Sequence, residues 1–439
     1  MKNLFIGRAS EPTSVVLQSV ILATLFLVPF DSVATDGLYP LTPIEQSMPS
    51  DAELAPLDVL ATTDILGIGE SAHGVRGYMR IQNRLIQYFV EKHGFRQIYL
   101  ENELFATGPA SKYVRDGTGT VKDAVSAMWN ANQEYVEIFE WLRKWNQTHP
   151  ADPVELLGAD IYETPYLVHQ VLVSQLKPQD AFFKNEIVEI EKSCAGHTVT
   201  SDAEWKTLKQ NITSGTATIT DADFGTCMSS LKSIRQKLQS DPKLKTELGS
   251  DAFYDALLAT QVLYARQNHM KRLWVEKNKA AHWNVRDETL AQNILTQREK
   301  YGASQKVLWI AHTSHTSQAT SKAAWWSYGL GLGQILGTGE FLAKSVNYKS
   351  IGTTGFDIEG QNGRFETPSS PLSLDLQLRS SGANTVLVDT RGSFCSFRKK
   401  WWVQNENNNL YYPDGVFLTP AEHFDFYIFI DSSLKAAPL

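Results

Sequence analysis

The chain of 439 residues lacks any stretch dense in positive charge, and its acidic side chains outnumber its basic ones. There are 41 Lys and Arg residues against 48 Asp and Glu residues, which gives a net charge of −7. Proteins that bind nucleic acid usually present a basic patch or arm. We therefore expect no nucleic acid among its partners. The apolar content of 42% and the charged content of 20% are typical of a globular protein.

Cysteine is also scarce, with three residues at positions 194, 227 and 395. No Cys-x-x-Cys motif is present, which argues against redox chemistry and against a zinc site built from thiolates. Cys194 and Cys227 lie in the same middle segment, so they are the natural disulfide pair if the protein is exported. This pairing leaves Cys395 as an odd thiol.

Long apolar runs are confined to the N-terminus. Basic residues precede an apolar stretch at residues 15–30, and the small residues Ser32-Val33-Ala34 follow it. This order predicts a secretory signal peptide at residues 1–34, cleaved after Ala34, so that the mature protein is secreted or periplasmic. A membrane anchor is the alternative, but about 16 residues is short for a span and Gln18 interrupts the stretch. After cleavage we expect no stable membrane insertion.

Strand-like and helix-like segments alternate through most of the remaining chain. The alternation covers residues 41–163, gives way to helical spacing over residues 164–288, and returns over residues 289–439. Alternating strands and helices are typical of an α/β layer architecture with a mostly parallel sheet. We predict an α/β core in two halves, interrupted by an inserted helical domain.

Titratable side chains recur directly after the predicted strands. In a mostly parallel sheet the carboxyl ends of the strands lie along one edge, and ligands bind in the crevice outside that edge. We therefore expect these side chains to share one small volume, and an enzyme best explains such convergence. They are Glu70 and His73 after the strand at residues 65–69, Glu101 after 96–100, Asp160 after 154–158, and His312 with His315 after 307–311.

A histidine beside a carboxylate suits the hydrolysis of an ester. An unperturbed pKa of about 6.5 lets histidine take a proton from water, and a carboxylate can hold the resulting imidazolium. The chain has no Gly-x-Ser-x-Gly elbow, so a serine nucleophile at Ser71 is disfavoured. Both site residues also have a purely structural interpretation. Glu70 would then be a carboxylate favoured at a helix N-terminus, and His73 a satisfied core histidine.

The His312-x-x-His315 motif has three interpretations. The two imidazoles could form a catalytic and orienting pair, or they could cap the helix that follows the strand. They could also be half of a metal site that Glu70, His73 and Glu101 complete. Such ligands suit zinc or manganese, but the spacing is not the His-Glu-x-x-His of zinc proteases. We expect no cofactor, with a divalent metal as the alternative.

Several motifs, taken in order, resemble the erythromycin esterase family. Gly69-Glu70-Ser71-Ala72-His73-Gly74 is similar to the opening motif of the family, and Ala311-His312-Thr313-Ser314-His315 is similar to its paired-histidine motif. Further similarities keep the family order from about residue 44 to residue 435. They are Arg76, His93-Gly94-Phe95, Leu100-Glu101, Glu134 with Trp141-Leu142-Arg143, Gly158-Ala159-Asp160, Arg286-Asp287 with Asn293, and Pro420-Ala421-Glu422 with Phe424-Asp425.

The resemblance implies a three-layer α/β/α core with a mostly parallel sheet, an inserted helical domain and a deep cleft. It also implies hydrolysis of an ester or lactone bond in a bulky small molecule, by water that His73 activates as the general base. The other implied site residues are a polar shell around His73 and an oxyanion contact. These are Glu70, Glu101, His312 and His315 for the shell, and Arg76 for the contact.

Two features depart from the family pattern. Gln82 stands where the family usually carries a basic residue, and Trp129 does not match the usual spacing of a tryptophan before Glu134. Gln82 is the sequence feature that favours a different function, a non-catalytic binding or polysaccharide-assembly protein on the same fold. A similarity to the fold of Tiki-type metalloproteases supports the other alternative, a metal-dependent hydrolase or peptidase.

Overall fold

A computed structural model describes most of the chain after the predicted signal peptide. The described residues are 37–194, 201–214, 216, 221–323, 334–361, 363–366, 374–380, 382, 384–391, 399–401 and 416–439. The predicted cleavage site after Ala34 and the odd thiol of Cys395 lie outside these ranges. Within them, no helix is both long and apolar enough to cross a membrane.

The described residues contain one large mixed sheet and one small antiparallel pair. The strands are β1 (Leu38–Pro40), β2 (Ile65–Glu70), β3 (Phe95–Glu103), β4 (Glu155–Asp160), β5 (Lys306–His312), β6 (Tyr348–Gly360), β7 (Gly363–Glu366), β8 (Thr385–Asp389), β9 (Lys399–Trp401), β10 (Val416–Leu418) and β11 (Phe426–Ser433). The order in the large sheet is β1-β8-β11-β6-β2-β5-β3-β4, with β7 paired to β6, while β9 pairs with β10.

The centre of the large sheet is parallel. Strands β11, β6, β2, β5, β3 and β4 pair in parallel, and only β1, β7 and β8 are antiparallel among the described strands of this sheet. In the register of β2 and β5, Glu70 lies opposite His312. The predicted mostly parallel sheet is therefore confirmed, and its carboxyl edge carries the predicted site residues.

Both faces of the sheet are covered by helices. Successive side chains of a strand point to opposite faces. In β5, Leu308 and Ile310 belong to one apolar cluster and Val307 and Trp309 to the other. The first cluster also contains Phe139 and its helical neighbours, while the second contains the helices that follow β4. Two cores on opposite faces of one sheet make the predicted three-layer α/β/α architecture.

Sixteen α-helices are found in the described part of the chain. They are α1 (Asp51–Leu54), α2 (Arg76–His93), α3 (Gly108–Asp116), α4 (Val121–Ser126), α5 (Gln133–Thr148), α6 (Pro165–Leu176), α7 (Asp180–Ser193), α8 (Asp202–Thr213), α9 (Asp221–Ser240), α10 (Pro242–Leu248), α11 (Ser250–Met270), α12 (Lys279–Tyr301), α13 (Thr313–Thr316), α14 (Thr338–Ala343), α15 (Leu374–Ser380) and α16 (Pro420–His423). Short 3₁₀ helices lie at Ala55–Leu60, Lys177–Gln179 and Thr320–Lys322, and one π-helical turn lies at Lys271–Val275.

Two glycines let the elements at the carboxyl edge approach one another. A Cβ at Gly69 would collide with Thr316 and Thr313 of α13, so the end of β2 and this short helix pack at backbone distance. Gly74 has a φ of +69° and joins the β2 turn to α2. Side chains rarely adopt this left-handed conformation, which makes glycine the suitable residue there.

The segment between β4 and β5 is helical, from Pro165 to Tyr301, in the residues that the structure describes. A disulfide joins Cys194 to Cys227, with the two Cα atoms 4.8 Å apart, and confirms the predicted pair. The domain limits at 41–163, 164–288 and 289–439 stay a prediction. Helix α12 crosses the limit at residue 288 and carries side chains from this helical region to the carboxyl edge of the sheet.

Candidate active site

The carboxyl edge of the parallel strands brings five predicted site residues together. The backbone N–H of His312 donates to Glu101 Oε2 at 2.7 Å, so the ends of β5 and β3 are hydrogen-bonded. His315 Nε2 lies 3.3 Å from Glu101 Oε1. The rings of His73 and His312 are 5.0 Å apart. Together with Glu70, these side chains occupy one volume, as the strand-end pattern predicts.

Arg286 of α12 occupies the centre of a sealed cluster at this edge. Its Nη2 donates to Glu101 Oε1 at 2.8 Å, and its Nε and Nη2 donate to the two carboxylate oxygens of Asp160 at 3.0 and 2.5 Å. The Arg286 side chain is 6% exposed. We call Arg286, Glu101, Asp160, His315 and Asp287 the arginine cluster. Its bidentate pairing fixes the ends of β3 and β4 against α12.

The charges of the arginine cluster compensate one another. Burial alone would raise the pKa of Glu101, but the charges of His315 and Arg286 outweigh burial and hold that pKa well below its ordinary value. Glu101 is therefore an anion at any pH near neutrality. A buried carboxylate is tolerated only when cations and N–H donors surround it, as they do here.

His315 is held between two acidic residues. Its Nδ1 lies 2.5 Å from Asp287 Oδ1, which also accepts from the backbone N–H and the hydroxyl of Thr338. Burial and Arg286 oppose protonation of this ring, whereas Asp287 and Glu101 favour it and raise its pKa to about 10. The contact of 2.8 Å between Arg286 Nη1 and His315 Nε2 would favour the neutral ring. We assign His315 as the protonated, cationic ring, because two carboxylates contact it and only one guanidinium does.

His312 caps the short helix that follows β5. The backbone N–H of Ser314 donates to its Nδ1 at 3.2 Å, and its Nε2–H donates to the carbonyl oxygen of Ser71 at 3.2 Å. Burial, reinforced by the charge of His73, lowers the pKa of His312 to about 3. This histidine is therefore neutral and has both nitrogens engaged. The capping interpretation of the motif applies to His312 and not to His315.

Glu70 and His73 form the solvent-reached part of the site. His73 Nδ1 lies 2.7 Å from Glu70 Oε1, and their side chains are 27% and 12% exposed. We assign the proton to Nδ1, because an ionised carboxylate can only accept. No described residue hydrogen-bonds Nε2 of His73. We call these two residues the His73–Glu70 pair.

The surroundings of His73 strengthen it as a base. Burial lowers its pKa, but the hydrogen bond and charge of Glu70, together with the charge of Glu101, outweigh burial and raise the pKa above its ordinary value. The ring of Trp129 meets the ring of His73 edge-on, with centroids 4.8 Å apart. Trp129 is itself held by a hydrogen bond of 2.6 Å from its Nε1 to the carbonyl oxygen of Glu101. The imidazole is thus oriented from two sides.

Arg76 starts α2 and pairs with two carboxylates. Its Nη1 lies 3.8 Å from Glu45 Oε2 and its Nε lies 3.6 Å from Glu134 Oε1. The side chain is 42% exposed. No interaction with His73 is found for it among the described residues, so its part as an oxyanion contact stays a prediction.

Tyr135, on α5, is a polar residue near the site that sequence reasoning missed. It is half-buried and lines a small cavity together with Gln82, Leu100 and Ile310, the last two from the ends of β3 and β5. Burial raises the pKa of Tyr135, and the negative charges of Glu70 and Glu101 raise it further. Its hydroxyl therefore stays protonated. Gln82 is buried there too, and its Nε2 has no hydrogen-bond partner in the described part of the chain.

The polar side chains at this edge do not fit a metal site. Among the described residues, no group of three or more His, Cys, Asp or Glu side chains is arranged to hold a metal ion. Arg286 already donates to Glu101 and Asp160, and Ser314 donates to the Nδ1 of His312. Glu101, His312 and Glu70, three of the ligands that the sequence offered for a divalent metal, thus already accept from protein N–H groups. That no cofactor is needed stays a prediction.

Arg286 and Asp287 were noticed in the sequence only as part of a family motif and not as site residues. The sequence feature that could have revealed Arg286 is a row of polar residues on one buried face of a helix. Arg286, Asn293 and Gln297 are seven and four residues apart, and all three are buried. Asn293 and Gln297 donate to the carbonyl oxygens of Ala159 and Gly158 in β4. Such spacing places them on one face of α12, which a helical reading of the segment could have found.

Comparison with known proteins agrees with this architecture. The erythromycin esterase family model matches residues 90–433. Erythromycin esterase type I of Escherichia coli is 23% identical over 356 residues, which is 76% of this chain and 82% of that protein.

Three solved structures share the fold. A Bacillus cereus protein has a TM-score of 0.74 and 17% identity, covering 91% of this chain and 96% of its own. A succinoglycan biosynthesis protein has a TM-score of 0.70 and 15% identity, covering 93% and 97%. A histidine-to-asparagine mutant of the erythromycin esterase EreC, in its open conformation, has a TM-score of 0.69 and 18% identity, covering 91% and 98%. Since the family model spans most of the sequence, the chain belongs to the erythromycin esterase family.

Proposed function

We propose that this protein is an exported hydrolase that cleaves the ester or lactone bond of a bulky small molecule, with His73 as the general base. Membership of the erythromycin esterase family supports hydrolysis of an ester. The observation that carries the assignment is the geometry of the His73–Glu70 pair. It is a partly exposed imidazole, held through Nδ1 by a buried carboxylate, at the edge where ligands bind to parallel sheets.

The proposed reaction needs one proton transfer in each direction. Nε2 of His73 takes a proton from water as the water oxygen bonds to the substrate carbonyl carbon, which leaves a tetrahedral oxyanion. The oxyanion then re-forms the carbonyl and breaks the carbon–oxygen bond of the ester. The departing alkoxide takes the proton from the imidazolium, and in a lactone this step opens the ring. A positioned base of this kind contributes roughly 10²–10⁴-fold to the rate.

A hydrogen-bond donor for the oxyanion is also required. Tyr135 is a better candidate than Arg76, because it lies near Glu70 and Glu101 and its hydroxyl keeps its proton. Arg76, in contrast, is engaged with Glu45 and Glu134. We propose that the Tyr135 hydroxyl donates to the carbonyl oxygen as charge develops there. A preorganised donor of this kind acts on the transition state more than on the substrate.

The proposed export is supported by the disulfide between Cys194 and Cys227. Disulfides persist in oxidising compartments such as the periplasm or the extracellular space. The bond therefore agrees with the predicted signal peptide at residues 1–34. Mass spectrometry of the protein recovered from its source would test this step, with Thr35 as the expected new N-terminus.

A hydrolysis screen tests the proposed function. The mature chain is assayed on a panel of esters, macrocyclic lactones and peptides, with and without exhaustive chelation. We expect turnover of esters or lactones that survives chelation and is abolished in His73→Asn, while His149→Asn, an exposed histidine at the end of α5, keeps full activity. Loss of activity on chelation would favour a metal-dependent hydrolase. No turnover on any substrate would favour a binding protein.

A further inference from the structure

One buried cation near the site forms no ion pair with any described side chain. Arg266, on α11, is 4% exposed, and its Nε is buried without a hydrogen-bond partner in the described part of the chain. No ion pair involves Arg266 among the described side chains. Burial lowers its pKa, which reflects the free-energy cost of removing the guanidinium from water. That cost normally amounts to several kcal/mol unless a carboxylate or another anion compensates it.

Two aromatic rings hold the Arg266 guanidinium. Its central carbon lies 5.0 Å from the ring centre of Tyr162 and 5.2 Å from that of Trp205. The same Tyr162 ring lies 4.8 Å from the central carbon of Arg286. Arg266 therefore shares an aromatic neighbour with the arginine cluster. Stacking orients a guanidinium but leaves its in-plane N–H groups without acceptors.

The nearby carboxyl groups do not supply those acceptors. Asp160, Glu163 and Glu103 act on Arg266 through charge, and none of them hydrogen-bonds to it. Asp160 is already paired with Arg286. Burial raises the pKa of Glu163 well above its ordinary value, which weakens this carboxyl group as a counter-charge for Arg266. Its Oε2 is also buried without a partner among the described residues.

The buried Nε–H of Arg266 is therefore a hydrogen-bond donor without an acceptor among the described residues. We propose that Arg266 is the anchor of a subsite for a carboxylate that the substrate carries some bonds away from the scissile ester. The single negative charge of a carboxylate matches the single positive charge of the Arg266 guanidinium. A phosphate dianion would place a second negative charge near the Asp160 carboxylate, which disfavours it. This proposal names a substrate class and rests on the proposed function.

A binding measurement tests the subsite first, because it requires no turnover. Adipate monomethyl ester and its neutral counterpart, dimethyl adipate, are titrated into the His73→Asn protein by calorimetry, with Trp205 fluorescence as a second signal. We expect the half-ester to bind at least about tenfold more tightly than the diester, and Arg266→Gln in the same background to remove that preference. Equal affinity for the two probes, or an unchanged preference in Arg266→Gln, would overturn the subsite.

Kinetics on the active protein then separate positioning from chemistry. Arg266→Gln should raise KM for the half-ester by about tenfold or more and leave KM for the diester and both kcat values within about twofold. Arg235→Gln, which removes an arginine from α9 outside this cluster, should change neither KM nor kcat for either ester. An equal loss of kcat on both esters would overturn the proposal. If the wild-type protein hydrolyses neither ester, the binding titration still decides the subsite.

The melting temperature distinguishes a ligand anchor from a structural cation. Removing a buried charge that forms no ion pair relieves its desolvation cost, so the melting temperature of Arg266→Gln should equal or exceed that of the wild type. A half-ester at saturating concentration should raise the melting temperature of the wild type and not that of Arg266→Gln. A marked fall in the melting temperature of Arg266→Gln without ligand would identify the guanidinium as a structural group and overturn the proposal.

Discussion

The His73–Glu70 pair and the arginine cluster are neighbours with opposite properties. In the pair, one imidazole is 27% exposed and bonded to the protein through one nitrogen. In the cluster, Arg286 is 6% exposed and three of its nitrogens contact protein atoms. One region is open to solvent, whereas the other is closed. This difference agrees with the proposed function, in which the open part transfers protons and the closed part holds the strand ends and their charges in place.

This division follows from where each residue enters the site. Glu70 ends β2 and His73 lies on the turn between β2 and α2, and such turns carry function because they lie at the surface. Arg286 and Asp287 come from within α12, which packs on the sheet. Removing one partner of a buried charge pair is strongly destabilising, so we expect the arginine cluster to contribute to the stability of the fold. Mutations in the two regions should therefore fail in different ways.

The largest effect is expected from Arg286→Met. This change leaves the carboxylates of Glu101 and Asp160 buried without their cation, which should destabilise the fold by about 3–5 kcal/mol. Arg298→Met, at the other end of α12, removes an arginine whose partner Asp64 is 45% exposed, and should cost about 1 kcal/mol or less. Urea unfolding measures both. Equal stability of Arg286→Met and the wild type would show that the cluster does not hold the strand ends.

A smaller effect, confined to activity, is expected from Glu70→Gln. The carboxylate stabilises the imidazolium of His73, so its removal should lower the His73 pKa and cost on the order of 10²-fold in kcat/KM. The base works above its pKa. The acidic limb of the pH profile should therefore lie above the ordinary histidine pKa in the wild type and move to lower pH in Glu70→Gln. Glu140→Gln, on the exposed side of α5, is the control, and an unmoved limb would contradict the pairing.

Tyr135→Phe should have a weaker effect still. Losing one donor to the oxyanion should reduce kcat by about tenfold or somewhat more, with little change in KM, because the contact forms as charge develops. Tyr113→Phe, on α3, provides a matched loss of a phenol hydroxyl away from the site. If Tyr135→Phe raises KM and leaves kcat unchanged, Tyr135 binds the ground state and the oxyanion has another donor.

The last effect is on stability and not on activity, and it concerns a neutral pair in the helical region. His269 and His282 each hydrogen-bond the carbonyl oxygen of the other, and burial lowers the pKa of His282 to about 4. Below pH 6.5 the unfolded chain takes up a proton that folded His282 does not. Stability should then fall by up to about 1.4 kcal/mol per pH unit between pH 6.5 and about 4 from this residue. His282→Gln should show a shallower fall, and an identical slope would contradict the neutral pair.

The sequence predicted the strand ends well because local patterns determine them. Apolar runs followed by Glu70, Glu101, His312 and His315 indicate a parallel sheet and its functional edge, and the structure brings these side chains together. The placement of Arg286 could not be predicted in the same way. It lies 126 residues after Asp160 along the chain, and only the packing of α12 on β4 joins them. Arg266 and Tyr135 were missed for the same reason.

Some assignments needed the hydrogen-bond geometry and not only the fold. The sequence left His312 and His315 as a catalytic pair, a metal half-site or two helix caps. The donors around each ring separate them into a neutral cap and a buried cation. Neither role can be read from residue type, because the same imidazole takes either charge according to its neighbours.

The most direct test of the account measures activity and stability on the same preparation of His73→Asn. We expect a loss of at least about 10²-fold in kcat/KM and a melting temperature within about 2 °C of the wild type, because the base is partly exposed and the asparagine amide can still donate to Glu70. Retention of wild-type turnover by a folded His73→Asn protein would contradict it. So would a melting temperature that falls as far as that of Arg286→Met.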